Sequence, residues 1–312
     1  MKILVTGGAG FIGSQVVDLF IEAGHEVVVV DSLITGRAGN LNPKARFYQL
    51  DIRSPQLKEV FETERPEVVD HHAAQLDVRR SVADPVYDAD VNVLGMLNLL
   101  QQCVEYKTRK VIYSSSGGAA YGEPVYLPCD EHHPIQPLSP YGATKYMTEL
   151  YLYMYRQNFG LDYSILRYPN VYGPRQDPDG EGGVVAVFTG SMLKGRPVTI
   201  FGSGEQVRDY LFVKDCARAN LMLLEQGSGQ AYNLGSGIGT TVNQLFSGLK
   251  AIIGYAQEAQ YLPARAGEIF RIYLDASKAK SQLGWQPSVS LDEGLRKTVE
   301  YFRQRELKTA HA

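Results

Sequence analysis

Short apolar runs, separated by stretches in which apolar residues recur at helical spacing, set the rhythm of the first half of this chain. Lys2-Ile3-Leu4-Val5-Thr6 reads as a buried strand, and Glu26-Val27-Val28-Val29-Val30, ending at Asp31, as a second. Arg46 to Leu50, Val68 to His72, Lys110 to Tyr113 and Leu161 to Arg167 supply four more. Helices are expected from about Ser14 to Glu22, from Gln56 to Glu64, around Asp88 to Glu105, and from Pro140 towards Gly160 with no breaker between. The helix around Asp88 to Glu105 carries Asn92, Asn98 and a stripe of Val91, Leu94, Leu97, Leu99 and Leu100, expected as core or as a helix-to-helix dimer face. After Arg167 a loop is expected from Asn170 to Pro178. The pattern then shortens: a helix entered through Gly182-Gly183-Val184-Val185, a strand and turn over Pro197 to Gly202, and C-terminal helices from Asp275 with Leu283-Gly284-Trp285 behind them.

Composition narrows the function more than the fold. With 312 residues the chain suits one large or two small domains and can bury a real core. Lys and Arg total 31 against 34 Asp and Glu, a net charge of -3 with neither sign in a long block, which does not suit nucleic acid or membrane binding. Cys103, Cys129 and Cys216 are too scattered for a metal cluster and odd in number for a disulfide framework. The glycine-broken run Lys2 to Val5 reads as neither signal peptide nor membrane span, so a reducing cytoplasm is expected. Twenty tyrosines suit polar-tipped packing around clefts and interfaces.

Gly7, Gly10 and Gly13 lie between the first strand and the first helix at the spacing G-x-x-G-x-x-G. Glycine is needed where backbone approaches a pyrophosphate closely, and the helix N-terminus offers free N–H groups to the anion, with Phe11 and Ile12 of the turn expected at the cofactor. Asp31, ending the second strand, suits the adenosine ribose hydroxyls, and its charge repels a 2′-phosphate, which favours NAD over NADP. Asp51-Ile52 is expected over the adenine. Ala73-Ala74-Gln75 sets small residues where the backbone of a dinucleotide passes.

Tyr141 and Lys145 stand one helical turn apart and are expected on one face. A tyrosine acting as a base near neutrality needs about 4 kcal/mol of favourable interaction with its anion. The lysine supplies part of this, and a positively charged nicotinamide ring more. The strand at Lys110 delivers Ser114-Ser115-Ser116-Gly117-Gly118-Ala119-Ala120-Tyr121-Gly122 at its carboxyl end, where open α/β sheets place ligands. His71 and His72 are adjacent on a strand and so point to opposite faces, which argues against a shared metal.

These motifs together resemble the extended short-chain dehydrogenase/reductases and, within them, the UDP-glucose 4-epimerases (UDP-galactose 4-epimerases). The resemblance is carried by Gly7/Gly10/Gly13, Asp31, Asp51-Ile52, Ala73-Ala74-Gln75, Asn92, the Ser114 to Gly122 run, Tyr141/Lys145 and Arg167-Tyr168-Pro169-Asn170-Val171-Tyr172-Gly173-Pro174, over nearly the whole chain. It implies an α/β fold: a Rossmann-type doubly wound parallel sheet over residues 1–165, holding NAD, and a smaller mixed α/β substrate domain over 166–312 with some segments returning to the first. It implies that Tyr141 is the base and Lys145 its partner, that Asn92, Ser114 and Tyr168 join the cofactor site, and that the chain pairs as a homodimer through the helices near 90–105 and 141–158. Relatives that dehydrate or decarboxylate usually carry an acid in the serine stretch; none stands here, which favours epimerisation. Counting back four from Tyr121 puts the usual catalytic hydroxyl at Gly117, so Ser116 or a water must take that part.

For the second half the resemblance implies that Asn170 and Val184 contact the nucleotide sugar, that Thr199 to Phe201 holds the uracil, and that Arg208 and Arg265 neutralise the diphosphate with Glu268 nearby. Forked guanidinium geometry suits that task. Asn233 is expected beside the ribose. Ile272 falls where related epimerases gate the sugar's C2 substituent, so UDP-N-acetylhexosamines stay open as substrates. The competing readings are another sugar-nucleotide enzyme (dehydratase, decarboxylase or reductase) and an idle NAD-binding regulator.

Overall fold

The computed structural model describes residues 1–178, 183–264 and 268–310. Seven parallel strands form one sheet, in the spatial order Gln230–Asn233, Asp162–Tyr168, Lys110–Ser116, Val68–His71, Lys2–Thr6, Glu26–Asp31 and Arg46–Gln49. The direction of winding reverses beside Lys2–Thr6, and the strand ends at that reversal are where such sheets bind ligands. Six strands lie within a few residues of the apolar runs that predict them. The Lys110–Ser116 strand is longer than its apolar run, because Ser114, Ser115 and Ser116 stay in register with Leu166, Arg167 and Tyr168. The seventh comes from beyond residue 165 and is short, with an exposed Gln230 at its start, so it gives little periodic signal.

Helices cover both faces. On one side Phe11–Glu22 and Val213–Leu223 bury Val16, Phe20, Ala219 and Leu223 against Ile3, Val29 and Ile112, with Trp285 packed in behind. On the other, Leu57–Glu64, Gly95–Glu105 and Pro140–Phe159 bury Phe61, Leu99 and Leu152 against Leu4, Val69 and Val111. A third apolar unit joins Phe188 and Met192 of Val184–Leu193 to Phe246 and Leu249 of Val242–Ile253 and to Leu295 and Val299.

Two helices depart from expectation. The first starts at Phe11 rather than near Ser14, since Gly10 is its cap and Gly13 lies inside it. A Cβ on Gly13 would sit 2.3 Å from the Gly7 carbonyl oxygen, so this glycine is required by close packing and does not break the helix. The helix expected around Asp88 to Glu105 begins earlier and is segmented. Asp77 caps Val78–Ala83, and Asp84 caps Pro85–Ala89. A π-helical stretch at Asp90–Leu94 then leads into Gly95–Glu105. The 170–178 stretch is not all loop: Asn170–Tyr172 pairs in parallel with Tyr210–Phe212. Thr199–Phe201 is a strand as expected and pairs with Gln260–Leu262. Among the described residues no helix is long and apolar enough to cross a membrane.

Candidate active site

The turn after Lys2–Thr6 is built for close backbone approach. Gly7 has φ +70°, and a Cβ there would lie 2.7 Å from the Ala73 nitrogen. Gly10 caps the following helix without any side-chain hydrogen bond, so the first-turn N–H groups at Phe11, Ile12 and Gly13 meet no capping side chain. Asp31 accepts from the Ala9 N–H at 2.9 Å and the Leu33 N–H at 2.8 Å, tying the second strand to that turn. Burial pushes its carboxyl up, and those two bonds pull it back. A backbone cradle too tight for side chains, an uncapped helix N-terminus and a buried carboxylate together fit the pyrophosphate and ribose of a dinucleotide.

The expected flanks of that site are held by polar clamps. Asp51 is paired with Arg53 at 2.7 Å, and Arg53 also reaches Asp90 at 2.6 Å. The guanidinium holds Asp51 below the usual carboxylate range. The Ile52 carbonyl is held by Asn98 at 2.7 Å. Ala73 N–H points at the Thr6 hydroxyl oxygen, 3.3 Å away, and Ala74 follows in the same loop. Asn92 accepts from Gln75 N–H at 2.8 Å and donates to its carbonyl at 3.0 Å. Asp88, fully buried, accepts from the Gln75 side chain and from the Thr144 hydroxyl, each at 2.7 Å. One carboxylate thus joins the Gln75 loop to the helix that carries Lys145.

That helix, Pro140–Phe159, starts with Ser139 as cap and Pro140 in its first turn, and stops at Gly160 with φ +71°. Tyr141 is half-buried, and its hydroxyl feels the Ser116 side chain. Burial pushes the phenol up to about 12; Ser116 works against this and the charge of Asp88 with it. Lys145 is buried, donates to the Ser114 carbonyl at 2.7 Å, and sits 6.0 Å from the Tyr141 ring centre. Burial brings its ammonium down to about 8, opposed by Asp88 and Glu149. Lys145 is not among the groups that lower the phenol, and the protein's own groups leave it above its ordinary value.

The strand register explains the hydroxyl. Ser116 ends its strand opposite Tyr168, and Gly117 opens a single helical turn, Gly117–Ala120. Because that turn takes up chain length, counting back four from Tyr121 stops one residue short of the strand end. Gly117 is itself buried, and a Cβ there would lie 2.6 Å from Leu274 Cδ1, so a side chain at 117 requires Leu274 to move aside. A Cβ on Gly118 would lie 3.8 Å from Asn170 Oδ1 and 3.9 Å from Ser116 Oγ, which brings those two side chains to one spot.

Sequence reasoning missed Glu149 and Arg167. Glu149 lies two turns beyond Tyr141 and accepts from Ser115 at 2.5 Å and from Arg167 at 2.7 Å. Arg167 also donates to the Tyr121 hydroxyl at 2.9 Å, which donates to Asn233 at 2.7 Å. The i, i+4, i+8 spacing of Tyr141, Lys145 and Glu149 was the available signal. Asn233, fully buried in this network, does not line an open site.

His71 and His72 face opposite ways, as strand alternation requires: His71 meets the Thr6 hydroxyl at 2.6 Å, and His72 the Ser114 hydroxyl at 2.7 Å. Among the described residues no three His, Cys, Asp or Glu side chains gather to hold a metal.

The expected substrate residues are only partly brought together. Arg208 lies 3.6 Å from Glu268 and donates to the carbonyls of Val207 at 2.9 Å and Phe270 at 3.3 Å. Arg265 lies outside the described residues. Val184 is half-buried against the third apolar unit, and Thr199 and Phe201, also half-buried, flank its Ile200. Ile272 is sealed at 3% exposure among Tyr121, Cys129 and Leu274, behind the wall that Leu274 makes against Gly117.

Doubly wound sheet and glycine turn define a dinucleotide-dependent enzyme. The chain belongs to the NAD dependent epimerase/dehydratase family, whose model matches residues 3–235. It is similar to the UDP-glucose 4-epimerase of Thermotoga maritima, solved with UDP-glucose: 53% identity and a TM-score of 0.97, covering 98% of this chain and 100% of that one. It is also similar to the Thermus thermophilus UDP-glucose 4-epimerase complexed with NAD, at 44% identity and a TM-score of 0.94 over 97% and 99% of the two chains. The UDP-glucose 4-epimerase of Mycolicibacterium smegmatis is 45% identical over 98% of this chain and 99% of that protein.

Proposed function

We propose that this chain interconverts UDP-galactose and UDP-glucose by NAD-dependent inversion at C4, through a transient 4-keto sugar. The observation that carries this reading is the buried Lys145 ammonium, held by the Ser114 carbonyl at 2.7 Å and set 6.0 Å from the Tyr141 ring centre at the carboxyl end of the sheet. Gly7, Gly10, Gly13, Asp31, Gln75 and Lys145 would hold NAD, which when bound supplies the acceptor and donor of the C4 hydride. Tyr141 takes the proton of the 4-hydroxyl and returns it to the same oxygen after the sugar has turned. Ser116 fixes the phenol and meets the substrate oxygen from the strand side. Lys145, tethered by the Ser114 carbonyl, lowers the cost of the phenolate, and the cationic nicotinamide ring adds to that. No carboxylate stands in the Ser114 to Gly122 run, which suits a reaction that moves only this one proton.

Residues 1–165 serve as the cofactor domain and 166–312 as the substrate domain, with Asn170, Val184, Thr199, Phe201, Arg208 and Glu268 facing the UDP-sugar. A second copy pairs through the outer faces of the helices near 90–105 and 141–158, supported by the exposed Leu94, Met147, Leu150, Tyr153 and Met154. The role fits galactose metabolism in the cytoplasm, where the three buried free thiols stay reduced.

The test is to incubate the purified protein with UDP-galactose without added cofactor, follow the anomeric signal by NMR and weigh the product. Conversion to UDP-glucose at unchanged mass supports the reading. A product of changed mass identifies a dehydratase or decarboxylase instead. Turnover of UDP-N-acetylgalactosamine alone moves the substrate to the N-acetylated series.

A further inference from the structure

The reaction just described leaves one buried polar chain unused. Asp70 stands in the sheet between Val5 and Ile112, fully buried, and neither carboxylate oxygen receives a hydrogen bond among the described residues. The group nearest to compensating it is His72, whose Nε2 lies 3.0 Å from Asp70 Oδ1, off the line of a good hydrogen bond. An unpaired carboxylate at this depth costs several kcal/mol, so a histidine there is under pressure to keep Nε2 protonated towards it. His72 Nδ1 then accepts from the Ser114 hydroxyl, 2.7 Å away. Tyr168 stands near Ser114, and its hydroxyl accepts from Asn220 at 2.8 Å. The side chains of Asp70, His72 and Ser114 share the sheet face opposite the Pro140–Phe159 helix, yet the Ser114 carbonyl oxygen is what Lys145 binds, at 2.7 Å.

We propose that Asp70 and His72 are positioning residues for Lys145: they anchor Ser114 from behind the sheet, and the anchored Ser114 carbonyl fixes the ammonium beside Tyr141. The arrangement divides the labour between the two faces of one strand. A carbonyl has no rotamer of its own, so its aim is set by the backbone that carries it. Ser114 is paired with Leu166 on one side, but on the other the neighbouring strand stops pairing at His71, so there only a side chain can hold the backbone. His72 does so, through the Ser114 hydroxyl. The titratable groups around His72 are Asp70 on its own strand, Tyr168 with Cys216 behind it, and His71 with Lys145 across the sheet.

This rests on the epimerase reading for its kinetic arm only. The variants are His72→Leu, which removes the anchor, and Asp70→Asn, which keeps the shape and removes the charge. Lys145 is read directly by competitive acetylation across pH 6 to 11, the Lys145 peptide being weighed by mass spectrometry; this needs no substrate. A mislaid carbonyl stabilises the ammonium less, so its titration should move to lower pH by about half a unit or more in His72→Leu. In turnover, kcat should fall about tenfold with KM for UDP-galactose within about twofold, and the alkaline limb of kcat should move down with Lys145. Adding Ser114→Ala to His72→Leu should cost much less than Ser114→Ala alone, since both act through one chain. A merely structural role would lower the melting temperature and leave the Lys145 titration in place, and that result would overturn the proposal. If His72→Leu does not fold, Asp70→Asn carries the same test, with unchanged titration overturning it. Should the wild type leave UDP-galactose untouched, the substrate reading fails while the acetylation result still decides this one.

Discussion

Ser116 ends the Lys110–Ser116 strand and acts on the phenol of Tyr141, in the first turn of the Pro140–Phe159 helix. Ser116 pulls the phenol down while burial pushes it up, so the protein alone keeps Tyr141 protonated. In the role of base proposed for it, Tyr141 would need a positive charge beside it to release that proton, which would couple proton removal to an occupied, oxidised cofactor site.

Tyr141→Phe should keep the fold and the bound cofactor and abolish turnover. Assay with UDP-galactose alongside the absorbance of retained dinucleotide checks this; residual activity above a thousandth of wild type would remove Tyr141 from the role of base.

Ser116→Ala removes the hydroxyl that meets Tyr141. A fall of about tenfold to a thousandfold in kcat is expected, in the range of a general-acid/base contribution. A smaller fall means that water takes over at the edge of Gly117.

Lys145 illustrates how the site trades stability for function. Its ammonium titrates at about 8 against an ordinary 10.5, because it is buried. Between those values the unfolded chain binds a proton that the folded chain does not, so this group's contribution to stability rises as pH climbs from 8 to 10.5. Below pH 8 it is a constant burden of about 3 kcal/mol. Lys145→Met should therefore be inactive, yet no less stable than wild type at pH 7 and flatter in its stability from pH 8 to 10.5. Urea unfolding at several pH values is the measurement.

Glu149→Ala strips the carboxylate from Arg167, whose side chain is only 7% exposed. Breaking one half of a buried ion pair costs about 3–5 kcal/mol, and loss of that size in urea unfolding is expected. The paired change Glu149→Met with Arg167→Met should recover part of it.

Asp31→Ala should weaken NAD more than NADP, because it removes both the ribose acceptor and the repulsion of a 2′-phosphate. Calorimetry with the two dinucleotides decides; an unchanged ratio would separate Asp31 from the ribose and leave it only the Ala9 and Leu33 tethers.

What the amino-acid order determined by itself is the material that acts locally. The apolar runs set six of the seven strands, since a buried strand needs only neighbouring residues of one kind. The glycine spacing and the Tyr141–Lys145 interval carried the chemistry, since close approach and one helical turn are both short-range constraints. Tertiary structure alone decided which distant groups meet. Which hydroxyl ends the strand turned on where Gly117–Ala120 begins to wind, which no count along the chain measures. Asp88, Glu149 and Arg167 sit among ordinary charged residues in sequence, and only their burial, together with the cost of leaving a buried charge unpaired, marks them out. The same reason kept Asp70 and His72 silent. A carboxylate at the middle of a sheet is distinguishable from one on the surface only once neighbouring strands have closed around it.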